Sequence, residues 1–575
     1  MTLVDDRTDA PVRRPGILPR AWALPLPAHV GALAVVLLAL VPLVGTSSSF
    51  STDEGAAIVQ AQSLSRGDGW LVEHPLPEVD PDGRHYPLEI SEHGERGFVP
   101  FGKHPLYPLL LAGADRVGGV TAMVLLSLAG TVAAAGLAAL LARRMDRSVA
   151  RPTVWAVGGA SPLLFDGFLV MGHSLGAALA TAAVLAAVVA LERRSTRLAC
   201  AVPALVVVAV LLRTEALFLA VGMAIVVAAV AVARRELRLP AVLIGLGSLV
   251  AGGGGHLVET WWLSRLIGTS RGPVRPAPTA TDTAGYLSGR WRGFVRTLLA
   301  PTYGGDPLVA TLLLAMVAGV VLMALTARNH PDRRGPLRLS GAMAASAGVL
   351  AVVTAPEAVV PGLVVAFPLA AAGLLMVRRT TVRTAAARIA LAVFSVFAVC
   401  VVATQYAVGG GTEWGGRFFA VGVPLLVPVL LVALKDQRLD RWVAASLVVC
   451  SVAMATLSMT SLRTQHRRLS QLTGAADEAG AVVAAGRAER PVMVATYASV
   501  PRWGWRSFDR HRWLVTEPKD LQPLLGRLRE AGVTRVGLVS PYEARDRALL
   551  GSTPIVWSAS PPPAPGWNVF VVALA

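Results

Sequence analysis

The sequence predicts an all-α polytopic membrane protein with about 13 transmembrane helices and a small C-terminal α/β domain outside the membrane. Apolar runs recur along most of its 575 residues, 54% of which are hydrophobic, and the mean hydropathy is +0.58. After residue 462 the apolar runs shorten to strand length and alternate with helix-like segments. We therefore expect a cytoplasmic N-terminal tail (1–27), a transmembrane domain (28–461) and an extracytoplasmic α/β domain (462–575).

The predicted spans follow from runs close to the roughly 20 apolar residues that a helix needs to cross a bilayer. Long polar segments at 46–105 and 259–306 predict two external loops. Leu106–Ala112 is too short to span, so we expect it to lie in the membrane interface and to lead into a span near Gly118–Ala142. The spans are predicted near 28–45, 118–142, 152–170, 175–191, 199–212, 216–233, 241–257, 307–325, 339–353, 358–377, 389–408, 418–434 and 442–461.

The C-terminal domain is predicted from a mixture of strand-like and helix-like segments. Trp503, Trp505, Arg506 and Trp513 stand out in it, and this cluster either binds an acceptor glycan or rests on lipid headgroups. The predicted strands are Val492–Thr496, Arg535–Val539 and Val569–Leu574, and the predicted helices are Ala475–Ala488 and Asp520–Ala531.

The orientation of the helices follows from the basic residues between them. Arginine and lysine cluster in alternate connections, such as those at 143–147 and 193–197, whereas the intervening connections carry at most one arginine each. The positive-inside rule places the basic connections in the cytoplasm. We therefore predict a multi-pass protein of the plasma membrane whose N-terminus is cytoplasmic and whose C-terminal domain is extracytoplasmic.

The net charge of +17 does not indicate a nucleic-acid partner. The basic residues lie in short clusters between apolar runs, and neither a basic recognition helix nor an RNA-binding motif is present. The three cysteines, Cys200, Cys400 and Cys450, each begin or lie inside an apolar run, so we expect neither a disulfide framework nor a cysteine-ligated metal.

The first external loop carries an adjacent acidic pair, Asp53 and Glu54, shortly after the first span. Ser51 precedes the pair, and this pattern is typical of a helix N-cap with acidic residues in the first turn. A carboxylate in the first turn of a helix is also kept ionised, which suits a general base or a metal ligand. Both interpretations remain open for this pair.

The same loop returns to apolar sequence through Lys103 and His104. A lysine there either extends along the membrane interface or binds a phosphate, for which its compact charge is suited. His104 either assists in phosphate binding or is structural. Loops of this length without secondary structure of their own are usually functional or disordered.

Two further polar turns interrupt the apolar sequence. Arg213 and Glu215 lie between two spans, where ionisable residues are costly and suggest function, although a structural ion pair explains them equally well. Glu413 and Trp414 precede two glycines and Arg417, the only basic residue in a short external connection. The glycines allow the backbone to approach a ligand, so Arg417 either binds phosphate or anchors the chain at the interface.

These features together resemble the GT-C class of integral-membrane glycosyltransferases. An acidic pair after the first span, a long external loop and a Lys-x-Pro-Leu return are closest to the branch of lipid A aminoarabinose transferases and protein O-mannosyltransferases, which are family 39-like enzymes. The resemblance implies that Asp53 is the catalytic carboxylate, Glu54 its neighbour and Lys103 the contact to the donor phosphate. The usual form of the last motif is Lys-Pro-Pro, and His104 occupies its middle position here.

The resemblance extends to the later turns and to the reaction. A Trp-Gly-x-Arg-aromatic turn in related bacterial members implies that Arg417 contacts the phosphate, and Arg-x-Glu turns like that of Arg213 and Glu215 occur in the same class. The class transfers a sugar, with inversion, from a polyprenyl-phosphate donor to an acceptor on the outer face. A divalent metal at Asp53 is left open, and no other cofactor is expected.

We therefore predict a glycosyltransferase that acts on an envelope glycan, lipid or protein. One alternative is a transporter or flippase of a lipid-linked sugar, although such proteins tend to show two related halves, which this sequence lacks. The other alternative is a non-catalytic membrane protein that binds glycan.

Overall fold

The computed structural model describes residues 24–47, 49–87, 92–94, 97–268, 270–273, 283–301, 306–330, 332–355, 357–404, 414–437, 439–485, 490–541, 543–551 and 553–574. Helices dominate this part of the chain, and two small sheets accompany them. The helices are α1 (Leu26–Val44), α2 (Thr52–Arg66), α3 (Leu106–Met145), α4 (Ala150–Gly159), α5 (Leu163–Asp166), α6 (His173–Arg193), α7 (Thr196–Leu212), α8 (Ala216–Ala233), α9 (Arg238–Ile267), α10 (Thr283–Leu298), α11 (Pro307–Asn329), α12 (Arg334–Thr354), α13 (Leu363–Ala366), α14 (Pro368–Met376), α15 (Ala385–Thr404), α16 (Val423–Asp436), α17 (Arg441–Ala484), α18 (Val500–Trp503), α19 (Leu521–Glu530) and α20 (Glu543–Leu550). The strands are β1 (Glu92–Gly94), β2 (Gly97–Val99), β3 (Ser270–Pro273), β4 (Val492–Ala495), β5 (Arg512–Val515), β6 (Arg535–Ser540), β7 (Ile555–Ser558) and β8 (Asn568–Ala573).

Nine helices in the described ranges are long and apolar enough to cross a membrane, so the predicted multi-pass membrane protein is confirmed. They are α1, α3, α6, α8, α9, α11, α12, α15 and α17. In the same ranges α7 is a shorter apolar helix of 17 residues, and α4, α14 and α16 have only 10, 9 and 14 residues, fewer than the roughly 20 that a span usually needs. The predicted number of 13 spans therefore stays a prediction.

Two predicted spans are wrong as continuous helices, and proline explains both breaks. The span predicted near 152–170 is divided into α4 and α5, and Pro162 directly precedes α5. The span predicted near 358–377 is divided at Phe367, whose backbone is non-helical (φ −131°, ψ 78°), and Pro368 begins α14. Proline disfavours helical geometry in the residue before it and is well suited to the first position of a helix.

Helix α3 contains the short segment that we expected before the second span. Gly118 and Gly119 have non-helical backbone angles, and Gly119 has a φ of +61°. Such a φ favours glycine because glycine has no Cβ. The break separates a first piece, which begins at Leu106, from the longer piece that ends at Met145.

Helix α17 continues from the membrane part of the chain into the C-terminal region without a break. We predicted a span near 442–461 and a separate helix near 475–488, but the structure has one helix of 44 residues. At about 1.5 Å per residue such a helix extends roughly 66 Å, about twice the thickness of the hydrocarbon core. Its C-terminal part packs against β6 and β8 and buries Ala475, Ala476 and Ala479.

The C-terminal region forms a five-stranded sheet in the order β5-β4-β6-β8-β7, so the predicted α/β character is confirmed. Strand β4 pairs parallel with β5 and β6, and β8 pairs antiparallel with β6 and β7. Helix α19 packs on the sheet through buried Leu521, Leu524 and Leu528.

The first long loop is part of this C-terminal region. Leu76 and Val79 belong to the same hydrophobic cluster as the sheet and α19. The Val515 amide donates a hydrogen bond of 2.7 Å to the carbonyl oxygen of His85, which extends the edge of the sheet. Strand β3 of the second loop pairs with β1 of the first loop. We call this end of the helix bundle, where both loops and the sheet meet, the loop side.

Candidate functional site

The acidic pair lies at the start of α2, where the capping interpretation is confirmed for Glu54. The Glu54 amide donates to the Ser51 hydroxyl at 3.3 Å, and Glu54 Oε2 accepts from the amides of Phe50 (2.6 Å) and Ser51 (3.4 Å). This reciprocal arrangement is a capping box. Glu54 Oε1 accepts from the Val170 amide at 2.7 Å, and the residue is only 2% exposed. Both carboxylate oxygens of Glu54 therefore accept hydrogen bonds from backbone amides, and they connect α2 to the segment between α5 and α6.

Asp53 lies beside two cations that come from distant parts of the chain. Its Oδ2 atom lies 3.3 Å from Nη1 of Arg417, which is 364 residues away, and 4.0 Å from Nζ of Lys103. The Asp53 side chain is 20% exposed and the Lys103 side chain is 48% exposed, so a ligand can reach this group from solvent. The structure thus brings together Asp53, Lys103 and Arg417, which were predicted separately from three parts of the sequence.

Arg417 is held in place by the two glycines before it. Gly415 and Gly416 have φ values of +68° and +67°, which favour glycine. A Cβ on Gly415 would lie 2.3 Å from Cγ of Pro162, and a Cβ on Gly416 would lie 2.4 Å from the carbonyl oxygen of Thr297. No other residue fits at either position without displacing the backbone that carries Arg417.

Trp414 is a packing residue in this turn. It is buried, and its ring stacks on Phe165 at a centroid distance of 5.7 Å. The guanidinium of Arg417 lies 5.0 Å from the centroid of the Phe418 ring. Glu413, which we also expected to support the site, lies outside the described residues.

Arg213 and Glu215 form a buried bidentate ion pair. Arg213 Nε donates to one carboxylate oxygen at 3.0 Å and Nη2 donates to the other at 2.5 Å. The stem of Arg213 passes Gly176, where a Cβ would lie 3.0 Å from Arg213 Cγ. The structure thus contains the ion pair of the structural interpretation, and the charge of Arg213 also acts on Asp53. A supporting role of the pair in the site stays a prediction.

His104 is buried and connects the returning loop to α9. Its amide donates to Glu259 Oε1 at 2.8 Å, and its Nδ1 lies 3.4 Å from the same oxygen and 3.5 Å from the hydroxyl of Thr214. Burial lowers the pKa of His104 well below its usual value, and the charges of Arg213 and Lys103 lower it further. Sequence reasoning missed Glu259, which lies at the predicted start of the second loop. A phosphate contact for His104 stays a prediction.

Sequence reasoning also missed Arg502, which α18 places beside the acidic pair. Arg502 is only 3% exposed. A small pocket is lined by Asp53, Lys103 and Arg502, together with Ala56 and the segment 100–102. The tryptophans next to Arg502 stood out in the sequence. No local pattern indicated that Arg502 itself lies beside the first long loop.

The cations determine the ionisation of Asp53. Burial alone would raise the pKa of Asp53, but the positive charges of Lys103, Arg417, Arg502 and Arg213 together hold the pKa well below its usual range. Asp53 is therefore ionised at any physiological pH.

The residues around Asp53 do not fit a divalent metal. No group of three or more histidine, cysteine, aspartate or glutamate side chains in the described ranges could hold a metal ion. Both oxygens of Glu54 accept backbone hydrogen bonds, and Asp53 itself faces cations. A divalent cation needs several oxygen or imidazole ligands. The option of a metal at Asp53 is therefore unsupported by this set of side chains.

The tryptophans of the C-terminal region differ in environment. Trp513 and Trp505 are buried in the core. Trp503 belongs instead to a group of three rings with Tyr497 and Trp567, whose centroids lie 5.6 to 5.7 Å apart. Tyr497 is 41% exposed, so of the three tryptophans singled out from sequence only Trp503 lies in an accessible aromatic group.

No protein-family profile and no curated protein sequence matches the chain. Among solved structures, it is similar to the archaeal oligosaccharyltransferase AglB from Archaeoglobus fulgidus, in complex with an inhibitory peptide and a dolichol-phosphate, at 13% identity and a TM-score of 0.47, over 91% of this chain and 70% of that one. It is also similar to ArnT from Cupriavidus metallidurans bound to undecaprenyl phosphate, at 16% identity and a TM-score of 0.44, over 95% of this chain and 98% of that one. Similarity at this level does not assign a role to any residue of this chain. The candidate roles of Asp53, Lys103 and Arg417 follow from their geometry.

Replacing Glu54 with alanine should destabilise the protein. Three backbone amides would lose their acceptor, which we expect to lower the free energy of unfolding by about 2 kcal/mol or more. Thermal unfolding in detergent measures the change. Glu192→Ala is the matched control, because Glu192 forms an ion pair of 2.9 Å with Arg144 at the surface, and such pairs contribute about 0–1 kcal/mol. Equal melting temperatures for the two variants would contradict the positioning role of Glu54.

Proposed function

We propose that the protein is a glycosyltransferase that moves a sugar from a polyprenyl-phosphate donor to an envelope acceptor. The observation that carries the proposal is the ionised Asp53 with Arg417 at 3.3 Å and Lys103 at 4.0 Å, on the loop side of a multi-pass membrane protein. Arginine and lysine are the side chains that bind phosphate best. A lipid-linked phosphate would reach this position from the bilayer, while the acceptor would arrive from the loop side.

The chemistry is a single displacement at the anomeric carbon. The acceptor hydroxyl oxygen forms a bond to that carbon, and the bond between the carbon and the phosphate oxygen breaks. Its electron pair leaves on the phosphate, while the hydroxyl proton passes to the carboxylate of Asp53. Attack opposite to the leaving group inverts the configuration. Lys103 and Arg417 would stabilise the charge that develops on the leaving phosphate.

Donor binding would also activate the base. A carboxylate whose pKa lies far below the working pH is a weak base. The cations that hold the pKa of Asp53 down are those that would pair with the donor phosphate. Once the phosphate shares them, the pKa of Asp53 rises toward its usual range and proton transfer becomes more favourable. Asp53 would then be a stronger base when a donor is bound than in the free enzyme.

A transporter of lipid-linked sugar would need the cations but not the carboxylate. An anionic side chain beside a phosphate site weakens phosphate binding by repulsion. Asp53 Oδ2 nevertheless lies 3.3 Å from Nη1 of Arg417, and a chemical step explains this position best. The same reasoning applies to a non-catalytic glycan-binding protein. The N-terminus would be cytoplasmic in the plasma membrane, and the acceptor would be an extracytoplasmic glycan, lipid or protein.

Transfer of sugar from a polyprenyl-phosphate donor in membranes tests the proposal. We expect Asp53→Asn and Lys103→Ala each to reduce turnover by about 100-fold or more, because each removes a charge that acts on the transition state. Asp82→Asn is the control, since Asp82 belongs to the same loop and its side chain is 72% exposed. Asp82 forms an ion pair with Arg84, which is also exposed. Wild-type turnover in both test variants would refute the site, and movement of the lipid across the bilayer without sugar transfer would favour the transporter.

The pH dependence of kcat/KM provides a separate test, because it reports ionisation in the free enzyme. In the wild-type protein the acid limb of Asp53 lies below the ordinary aspartate pKa of about 3.9. Lys103→Gln removes one of the cations that lower this pKa, so the acid limb of the residual activity should move to higher pH. Lys519→Gln, which changes an exposed lysine paired with Glu517, should leave the limb in place. An unshifted limb in Lys103→Gln would contradict the electrostatic coupling.

A further inference from the structure

Arg502 reaches the candidate site from a part of the chain that the sequence assigned to a separate domain. It lies in α18, between β4 and β5 of the C-terminal sheet. Although it is an arginine, it is only 3% exposed. A buried guanidinium is costly unless it faces negative charge, and Asp53 and Lys103 line the same small pocket.

The backbone of α18 is seated directly on α2. A Cβ on Gly55 would lie 2.0 Å from the carbonyl oxygen of Arg502 and 3.2 Å from the Ser49 hydroxyl. Only glycine therefore permits the observed approach of the two segments. Gly55 is two residues after Asp53, so this contact fixes the position of Arg502 relative to the catalytic carboxylate.

The formal charges at the site match a phosphate monoester. Arg213 is paired with Glu215, so these two residues add no net formal charge to the site. Lys103, Arg417 and Arg502 contribute three positive charges and Asp53 one negative charge, which leaves a net charge of +2. A phosphate monoester carries about −1.5 to −2 at neutral pH. During transfer Asp53 becomes protonated, and Arg502 then adds a third positive charge to those of Lys103 and Arg417 that face the leaving monoester.

We infer that Arg502 is a third cation of the donor-phosphate site, acting on the leaving phosphate, and that the C-terminal region must be seated on α2 for transfer to occur. This inference rests on the proposed function. It assigns the C-terminal region a part in the chemistry, in addition to any binding of an acceptor. The first loop supports the same seating, because Leu76 and Val79 belong to the hydrophobic cluster of the C-terminal sheet.

The first experiment compares Arg502→Met, which keeps the length of the side chain and removes its charge, with Arg502→Lys, which keeps the charge. Sugar transfer is measured as kcat and KM for the polyprenyl-phosphate sugar, and folding is checked by thermal unfolding. Loss of a fixed cation should lower kcat by about 100-fold or more in Arg502→Met, whereas Arg502→Lys should recover part of it. Guanidinium ion added to Arg502→Ala should restore activity, which it would not do for a purely structural arginine.

The matched control is Arg510→Ala. Arg510 is an exposed arginine eight residues further on. It should leave kcat and KM unchanged and should not respond to guanidinium. Activity of Arg502→Met within threefold of the control, or Arg502→Ala that is folded yet not rescued, would overturn the inference.

Gly55→Ala tests the seating without altering any charge. Its Cβ should displace α18 and reduce transfer to the level of Arg502→Met, and wild-type turnover in this variant would overturn the seating requirement. The proposed function is judged separately by Asp53→Asn. If Asp53→Asn abolishes transfer while Arg502→Met retains it, only the role of Arg502 fails. If the wild-type protein transfers no sugar, the proposed function fails with it.

Discussion

The site depends on the attraction between one carboxylate and the cations around it. Lys103, Arg417 and Arg502 come from three distant segments, and Asp53 offsets their mutual repulsion. The carboxylate therefore balances the cations before any substrate arrives. A donor phosphate can take over this role because it offers the same cations an equivalent negative charge.

The surrounding scaffold uses buried polar contacts to fix backbone rather than to perform chemistry. Glu54 holds three amides, Arg213 and Glu215 pair with each other, and Glu259 holds the amide of His104. Breaking such buried contacts is costly, so the backbone next to Asp53 and Lys103 has little freedom to move. Electrostatic stabilisation of a transition state is most effective when the charges are fixed in advance.

Hydropathy and local pattern predicted the class of fold and the central residues of the site. The membrane helices, the break at Gly118 and the α/β character of the tail follow from properties that are local in sequence. Asp53 and Lys103 stood out because they lie near the two ends of a long polar segment between apolar runs. The breaks near Pro162 and Phe367 were missed because an average over some 20 residues does not register a single proline.

The contribution of Arg502 could not be predicted for a different reason. Its role depends on a contact between α18 and Gly55, which are far apart in sequence, and a single sequence contains no signal for a contact of that range. The continuous helix α17 was missed in a similar way, because polar residues that end a membrane span do not end a helix that continues into a folded region.

The position of the cations between base and leaving group has a consequence for the barrier. In the proposed displacement Asp53 would lose its negative charge as it accepts the proton, and the phosphate would gain one negative charge as the sugar departs. The total charge facing Lys103, Arg417 and Arg502 is then the same before and after the step. Cations that face both partners at once need not move as the charge shifts from one to the other, so little reorganisation of the site is required. A set of cations placed only around the phosphate would stabilise the product but would leave Asp53 unpaired in the free enzyme. The observed arrangement, with the carboxylate inside the cationic group, meets both requirements with the same three side chains.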